Sequence, residues 1–369
     1  MKRKILKQKS NFLYSGKKKN NFFYNQKGIA LIVTLVMVTL LAGWALSLNV
    51  RVRDLLFEAV VLKKRSTLLD RAKAGIDIAS MMLLKDKSSS DTDSIQEFWA
   101  DEEQIIFYLG VLGFSPEELQ IKITDCLSKI QVNALVNYPN QKNQAQIKLW
   151  ERFLDGIRME YQELLDNPYD IINPLLDWLD YGDDDSITGL SGAESDYYVH
   201  ENKTLPRNGP LKSIEELSLV KGVNEKLWNK VYNSGIANDY LGVDGDVERS
   251  GSSFGYIGKI NINTAPHAVV SALITDNAFL HIAEEICSYR EEKSEGKFVN
   301  DLDDKWYRKC PGCEEVPLAE EFIVTSSDIF EIESLARDND LSVKVKAVVK
   351  RFTDKDGKWD IKTEKFIIE

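Results

Sequence analysis

Asp177-Trp-Leu-Asp180-Tyr-Gly-Asp183-Asp184-Asp185, with Glu194 and Asp196 soon after, is the best candidate in this 369-residue chain for metal chemistry. Calcium takes six to eight oxygen ligands from a flexible loop, and Gly182, Gly189 and Gly192 permit the turns such a loop needs. The spacing is not that of an EF-hand. The other reading is a solvated acidic loop in which Asp180 or Asp185 caps a helix or turn. Asp244-Gly-Asp246 with Glu248 is a weaker acidic cluster that reads as a simple turn. Enzymatic chemistry has little to stand on: His200, His267 and His281 are the only histidines, and none falls in a nucleophile or metal arrangement. No glycine loop able to cradle phosphate is present, so the chain does not read as an enzyme.

A different chemistry is done to the chain rather than by it. Lys27-Gly28-Ile29 opens the run IALIVTLVMVTLLAGWALSL, 20 residues from Ile29 to Leu48 without a charge. At 1.5 Å per residue that run crosses a hydrocarbon core of roughly 30 Å. Nine Lys and Arg residues and no acid precede it, which holds the N-terminus in the cytoplasm and sends the rest across the membrane. A secretory signal cut after Ala45-Leu46-Ser47 would have a shorter apolar region. A plain anchor explains length and charge. A prepilin leader, cut by its peptidase between Gly28 and Ile29, explains the glycine as well, because an extended backbone without a Cβ lies close to a protease.

The elements that follow favour the third reading. Between Val50 and Asp86 there is no proline, and Leu55, Ala59, Leu62, Leu69, Ala72, Ile76, Ala79 and Leu83 recur at helical spacing. One helix from Ile29 to Asp86 would be about 85–90 Å long, an anchor passing directly into a globular domain. Ile121–Thr124 and Lys129–Val132 alternate about a short Asp125–Ser128 turn and predict a hairpin. Leu341–Val349, the turn Asp354–Gly357 and Trp359–Ile368 predict another. The stretch between, 141–319, reads as mostly helical, with Trp150, Phe153, Ile157, Tyr161 and Leu164 on one face.

In that order these pieces resemble the general secretion pathway protein K family, the minor pseudopilins of type II secretion systems. The resemblance rests on GIALIVTLVMVTLLA, LLDRAKAGIDIASMML, IKITDCLSKIQVNAL, LLDWLDYGDDDSITGLSGAESDYY, LKSIEELSLVKGVNEKLWNKV and KININTAPHAVVSALI. It implies an α+β fold: a long N-terminal helix on a small pilin-type antiparallel sheet, with a large inserted all-α domain. The implied segments are a basic leader over 1–28, a transmembrane helix over 29–50 and a pilin-type helix with first strands over 51–140. An inserted helical domain over 141–320 and closing strands over 321–369 complete them. Ile29 would become an N-methylated N-terminus, and Val33 would be the fifth mature residue, where ordinary pilins carry glutamate. A fibre subunit with that glutamate can neutralise a neighbour's α-amino group in an apolar bundle, where a charge is tolerated only when paired. Val33 cannot, which suits a subunit at the tip with none beyond it. The implied partners are the prepilin peptidase, two other minor pseudopilins in a tip complex and the major pseudopilin, at the inner membrane with the C-terminal domain in the periplasm. The resemblance also puts calcium ahead of a solvated loop for Asp177–Asp196.

Two segments look like helix-hairpin-helix units: Leu211–Val231 about Val220-Lys-Gly-Val223, and Ile260–Tyr289, opening with Asn261-Ile-Asn-Thr-Ala-Pro266. Such hairpins can bind DNA, so a DNA-uptake protein or a type IV pilus minor pilin is the alternative. In the second unit Thr264 is placed to cap a helix with Pro266 in its first turn. Glu284, Glu285, Glu291 and Glu292 on its last helix oppose a phosphate backbone. The formal charge of −11 becomes −20 without the leader, which argues against nucleic acid. The hairpins therefore read as packing modules. Cys310-Pro-Gly-Cys313 lacks the second ligand pair of a zinc site and the context of a redox motif. In an oxidising compartment a loop-stapling disulfide is its default reading.

Overall fold

The computed structural model describes residues 26–160, 165–182, 187–303, 305–338 and 340–369. Helix α1 runs unbroken over Gln26–Lys87, and Gly28–Val60 is exposed along its length. Among the described residues it is the one helix long and apolar enough to cross a membrane. The chain divides into two compact units, Met1–Lys63 and Lys64–Glu369.

In the second unit, Leu68, Ala72, Ile76, Ala79 and Leu83 form a buried stripe on α1. The expected stripe begins later than its sequence period does, since Leu55 and Leu62 are exposed. These residues pack on a four-stranded antiparallel sheet in the order β1 (Leu119–Asp125), β2 (Ile329–Asp338), β3 (Leu341–Thr353), β4 (Trp359–Ile368). Ile123 faces Ile332 across β1 and β2, and Ile332 faces Ala347 across β2 and β3. Alternation puts Ile121, Ile123, Phe330, Ile332, Val343, Val345, Ala347 and Val349 in the core under α1. Helix α2 (Glu102–Val111), capped by the Asp101 carboxylate on the Glu103 and Gln104 amides, adds Ile105 and Leu109.

The C-terminal hairpin stands where expected, with a bulge at Val348/Val349. The hairpin predicted around Asp125–Ser128 does not form. The Asp125 carboxylate accepts the Leu127 amide at 2.7 Å, and its carbonyl accepts the Ser128 hydroxyl at 2.6 Å. Together they close a 3-10 turn, Cys126–Ser128, that leads the chain off the sheet. Ile130–Gln131, buried at both positions, then pairs in parallel with Leu241–Gly242. Only one strand before residue 140 therefore joins the sheet, and the segment between β1 and β2, residues 126–328, holds a second hydrophobic core.

That insertion is not all-α. It contains helices α3 (Gln144–Glu160), α4 (Tyr169–Leu179), α5 (Ser195–His200), α6 (Glu225–Asn233), α7 (Ile236–Tyr240), α8 (His267–Leu273) and α9 (Ile282–Glu291). It also contains a four-stranded sheet in which Val136–Tyr138 lies between Gln141–Lys142 and Ser253–Tyr256, with Val247–Ser250 at the edge. Gly251, at φ +64°, turns the last two strands onto each other, and Tyr138 stacks on Phe254 at 4.7 Å. Trp150, Phe153 and Ile157 are buried on α3 as the spacing predicts, whereas Tyr161 and Leu164 lie outside the described residues.

Candidate functional site

Gly28 and Ile29 lie in the first turn of α1, and nothing approaches within 4 Å of where a Gly28 Cβ would stand. A helix end that carries glycine frays readily, since glycine costs about 1 kcal/mol against alanine in a helix. Ile29 and Val33 are both about half exposed, at 45% and 49%. Residues 1–25 of the expected leader lie outside the described residues.

Helix α4 delivers the start of the acidic loop. The buried Asp177 carboxylate accepts the Thr188 amide at 3.1 Å and the Ala193 amide at 2.8 Å. A Cβ on Gly192 would stand 2.3 Å from Asp177 Oδ2 and 2.5 Å from the Thr188 backbone, so only glycine lets the loop close on the carboxylate. Asp177 thus shapes the loop through its amides. Glu194 is buried at the start of α5, and Asp196 points to solvent in that helix's first turn. Asp183, Asp184 and Asp185 lie outside the described residues. Asn208, at φ +50°, donates its amide to the Trp178 carbonyl two residues before Asp180. Its side-chain oxygen Oδ1 is buried without a hydrogen bond. Asp180, Glu194 and the Asn208 side chain carry oxygen donors, the atom type that calcium takes. Asn208 carries no periodic or motif signal and was not a sequence candidate.

Among the described residues, one trio of carboxylates converges on a point, and it lies elsewhere. One oxygen each from Asp86, Asp93 and Glu97 falls within 4.8 Å of the others, at the end of α1 and in the loop after it. Asp93 is fully buried and holds the fully buried Arg351 of β3 at 2.6 and 2.7 Å, while the Ser327 amide reaches it at 2.9 Å. Glu97 accepts the Ser94 amide at 3.0 Å and the Trp99 indole at 2.7 Å. Burial, with Glu97 and Asp93 beside it, pushes the Asp86 carboxyl up to about 7 against the pull of Arg351 and Lys87. The sequence signal for Arg351 was there to be found: it occupies an inward position of the alternation Val343, Val345, Ala347, Val349.

This cluster adjoins the connections between the sheet and the insertion. The Asp93 amide donates to the Thr325 carbonyl, and Asn261 bridges the Asp93 carbonyl (2.9 Å) and the Asp125 carboxylate (2.8 Å). Thr264 does not cap a helix. Its hydroxyl donates to Asp125 at 2.6 Å, and Pro266 itself stands at the cap of α8. The weaker acidic cluster is a tether: Asp244 meets Lys365 of β4 at 3.2 Å and Asp246 meets Lys350 of β3 at 2.5 Å.

Backbone groups of both hairpin-like units are engaged within the protein. In the first, the Lys221 amide donates to the Tyr198 hydroxyl at 3.0 Å and the Val223 and Asn224 amides to carbonyls of the same turn. The Lys221 ammonium binds the Gly192 carbonyl and lies 4.6 Å from the Tyr197 ring centre. In the second, the buried Arg290 guanidinium collects the Ile262 and Ala265 carbonyls. The Lys221, Val223 and Asn224 amides, which a phosphate would need, are engaged within the protein. Cys310 and Cys313 are joined in a disulfide, and Cys126 and Cys287 are buried free thiols.

A long helix on an antiparallel sheet, interrupted between its first two strands by a domain larger than the sheet, is a distinctive arrangement. No curated protein matches the sequence. Among solved structures the fold is similar to a chain in the crystal structure of the GspK-GspI-GspJ complex from the enterotoxigenic Escherichia coli type 2 secretion system. Identity is 14% and the TM-score 0.58, over 85% of this chain and 99% of that one. Residues 128–233, the first part of the insertion, match the family model described as type II secretion system (T2SS), protein K. The fold of the whole chain and the match of residues 128–233 within its insertion thus agree in their likeness to type II secretion system protein K.

Proposed function

We propose that this chain is a minor pseudopilin that caps a periplasmic pseudopilus and helps start its assembly, a structural rather than enzymatic role. The observation that carries the reading is the insertion of residues 126–328 between β1 and β2 of a pilin-type body. A domain of that bulk hinders stacking of another subunit above it. Val33, without a carboxylate to offer a following subunit, agrees with a terminal position. The solved relative is in complex with two further proteins, and this chain would likewise sit with two other minor pseudopilins above the major pseudopilin. Before assembly, Ile29–Leu48 would hold it in the inner membrane with the C-terminal domain in the periplasm.

The deciding experiment is expression with and without prepilin peptidase, read by mass and N-terminal sequencing. The expected product begins at N-methylated Ile29 only when the peptidase is present, and Gly28→Leu is expected to reduce cleavage at least tenfold. An intact chain in both samples returns it to the plain membrane anchors. A cut after Ser47 would make it an exported protein without an anchor.

Structural calcium in the Asp177–Glu194 loop belongs to the same reading, with Asp180, Asn208 and Glu194 as ligands and Asp177 as the group that shapes the loop. Calcium at about fifty to a hundred times the site's Kd adds about 2.5 kcal/mol to stability, roughly 5 °C or more in Tm for a domain of this size. Chelation is expected to remove that increment in a melting experiment, and Asp180→Asn to make this part of it unresponsive to calcium.

A further inference from the structure

The twelve residues from Asp86 to Glu97, DKSSSDTDSIQE, put carboxylates at the first and twelfth places, serine at the third, fifth and ninth, and a threonine carbonyl at the seventh. An EF-hand draws its calcium ligands from those places, with glycine at the sixth. Here Asp91 stands sixth and is not among the residues with positive φ, so the backbone differs from an EF-hand. The ends nevertheless meet as they do in one. Helix α1 delivers Asp86 in its last turn, and single oxygens of Asp86, Glu97 and Asp93 lie within 4.8 Å of each other. The Ser90 hydroxyl turns inward to the Thr92 carbonyl at 3.0 Å.

What points to a ligand is the state of Asp86. It is 4% exposed, and its Oδ2 is buried without a hydrogen bond. The nearest cation, Arg351 Nη1, is 3.8 Å away and beyond hydrogen-bonding distance. Arg351 is committed instead to Asp93, to the Ser327 carbonyl and to the Leu83 carbonyl. Four carboxylates, Asp86, Asp93, Glu97 and Asp328, therefore face two cations, Arg351 and Lys87. A divalent cation would draw these carboxylates together in their ionised form and give Asp86 Oδ2 the close partner it lacks.

We propose that the Asp86–Glu97 loop is a calcium site, separate from the loop of the insertion. Asp86 and Glu97 are its principal ligands, and Asp93, the Ser90 hydroxyl and the Thr92 carbonyl complete it. Bound there, the ion fixes the end of α1 to the loop that Thr325 and Asn261 hold against the insertion.

Trp99 provides the probe, since its indole touches Glu97 at 2.7 Å and can sensitise terbium held by that carboxylate. The full chain in detergent is titrated with Tb3+ under tryptophan excitation, and the emission is then displaced with Ca2+. Asp86→Asn and Glu97→Gln are each expected to weaken binding at this site at least tenfold, while Asp180→Asn leaves it in place. In the Asp180→Asn background, Trp99→Phe is expected to lose the sensitised emission yet keep the calcium-dependent rise in Tm. Melting in chelator shows whether each variant folds. Wild-type affinity in Asp86→Asn would overturn the proposal. So would an Asp86→Asn protein that is stabilised equally with and without calcium, the behaviour of a buried carboxyl that holds only a proton.

Discussion

Arg351→Met is expected to lower the unfolding free energy by about 3–5 kcal/mol, the usual cost of removing one partner from a buried ion pair. The guanidinium is fully buried and lies 4.7 Å from the Phe330 ring centre, with both Asp93 oxygens and the Ser327 and Leu83 carbonyls as acceptors. Methionine fills much of the volume but leaves the Asp93 carboxylate buried beside Asp86 and Glu97 without its main cation. The double variant Arg351→Met/Asp93→Leu should recover part of the loss, because replacing a whole buried pair by apolar groups is often close to neutral. Recovery stays incomplete, since the Ser327 amide loses Asp93 and two carbonyls lose Arg351. Urea denaturation of the full chain in detergent reads the effect. Proteolysis should become faster at 325–328 and 88–101, the segments the pair joins. A loss below about 1 kcal/mol would mean that the junction is held by the Asn261–Asp125–Thr264 bonds instead.

Legibility in the sequence followed the range of the interactions. Helix α1 and the C-terminal hairpin are specified by local period and turn residues, and both could be read. The partner of β1 could not, because the residues that choose it, Ile329–Asp338, lie across the whole insertion. A strand with alternating apolar residues pairs with whatever alternating strand tertiary structure supplies, and the nearest candidate was wrong. Ile130–Gln131 misled for a second reason: Lys129–Val132 alternates as letters, yet both Ile130 and Gln131 are buried, so the alternation does not mark a half-exposed strand. The Val247–Tyr256 hairpin did carry a legible signal, Ser250-Gly251-Ser252 between two short extended runs, against the expectation of an all-α insertion. At the acidic loop the residue types were readable, but their division of work was not. Asp177 and Asp180 are equivalent as letters, and only the structure shows that the first accepts the Thr188 and Ala193 amides. The junction cluster escaped because its members are a loop carboxylate and a strand arginine more than 250 residues apart.

Gly222→Ala tests the inward reading of the first hairpin. Gly222 sits at φ +89°, and a Cβ there would stand 2.1 Å from the Asp170 carbonyl oxygen and 3.0 Å from its carbon. These are backbone atoms in the first turn of α4, so no side-chain rotation relieves the contact. Left-handed backbone costs a residue other than glycine about 1–3 kcal/mol, and displacing the helix adds to that. The expected loss is about 3 kcal/mol or more, roughly 6 °C or more in Tm. Gly251→Ala separates the two contributions, because Gly251 shares the left-handed backbone at φ +64° but has nothing within 4 Å of its Cβ position. It should cost only the conformational part. Because α4 carries Asp177, Gly222→Ala should also blunt the calcium response proposed for the acidic loop, which Gly251→Ala should leave intact. A hairpin that served DNA would behave differently: its alanine variant would lose retention on DNA at little cost in stability. Equal melting of the Gly222 and Gly251 variants, with DNA retention lost only in the first, would therefore overturn the packing role and reinstate nucleic acid as the ligand.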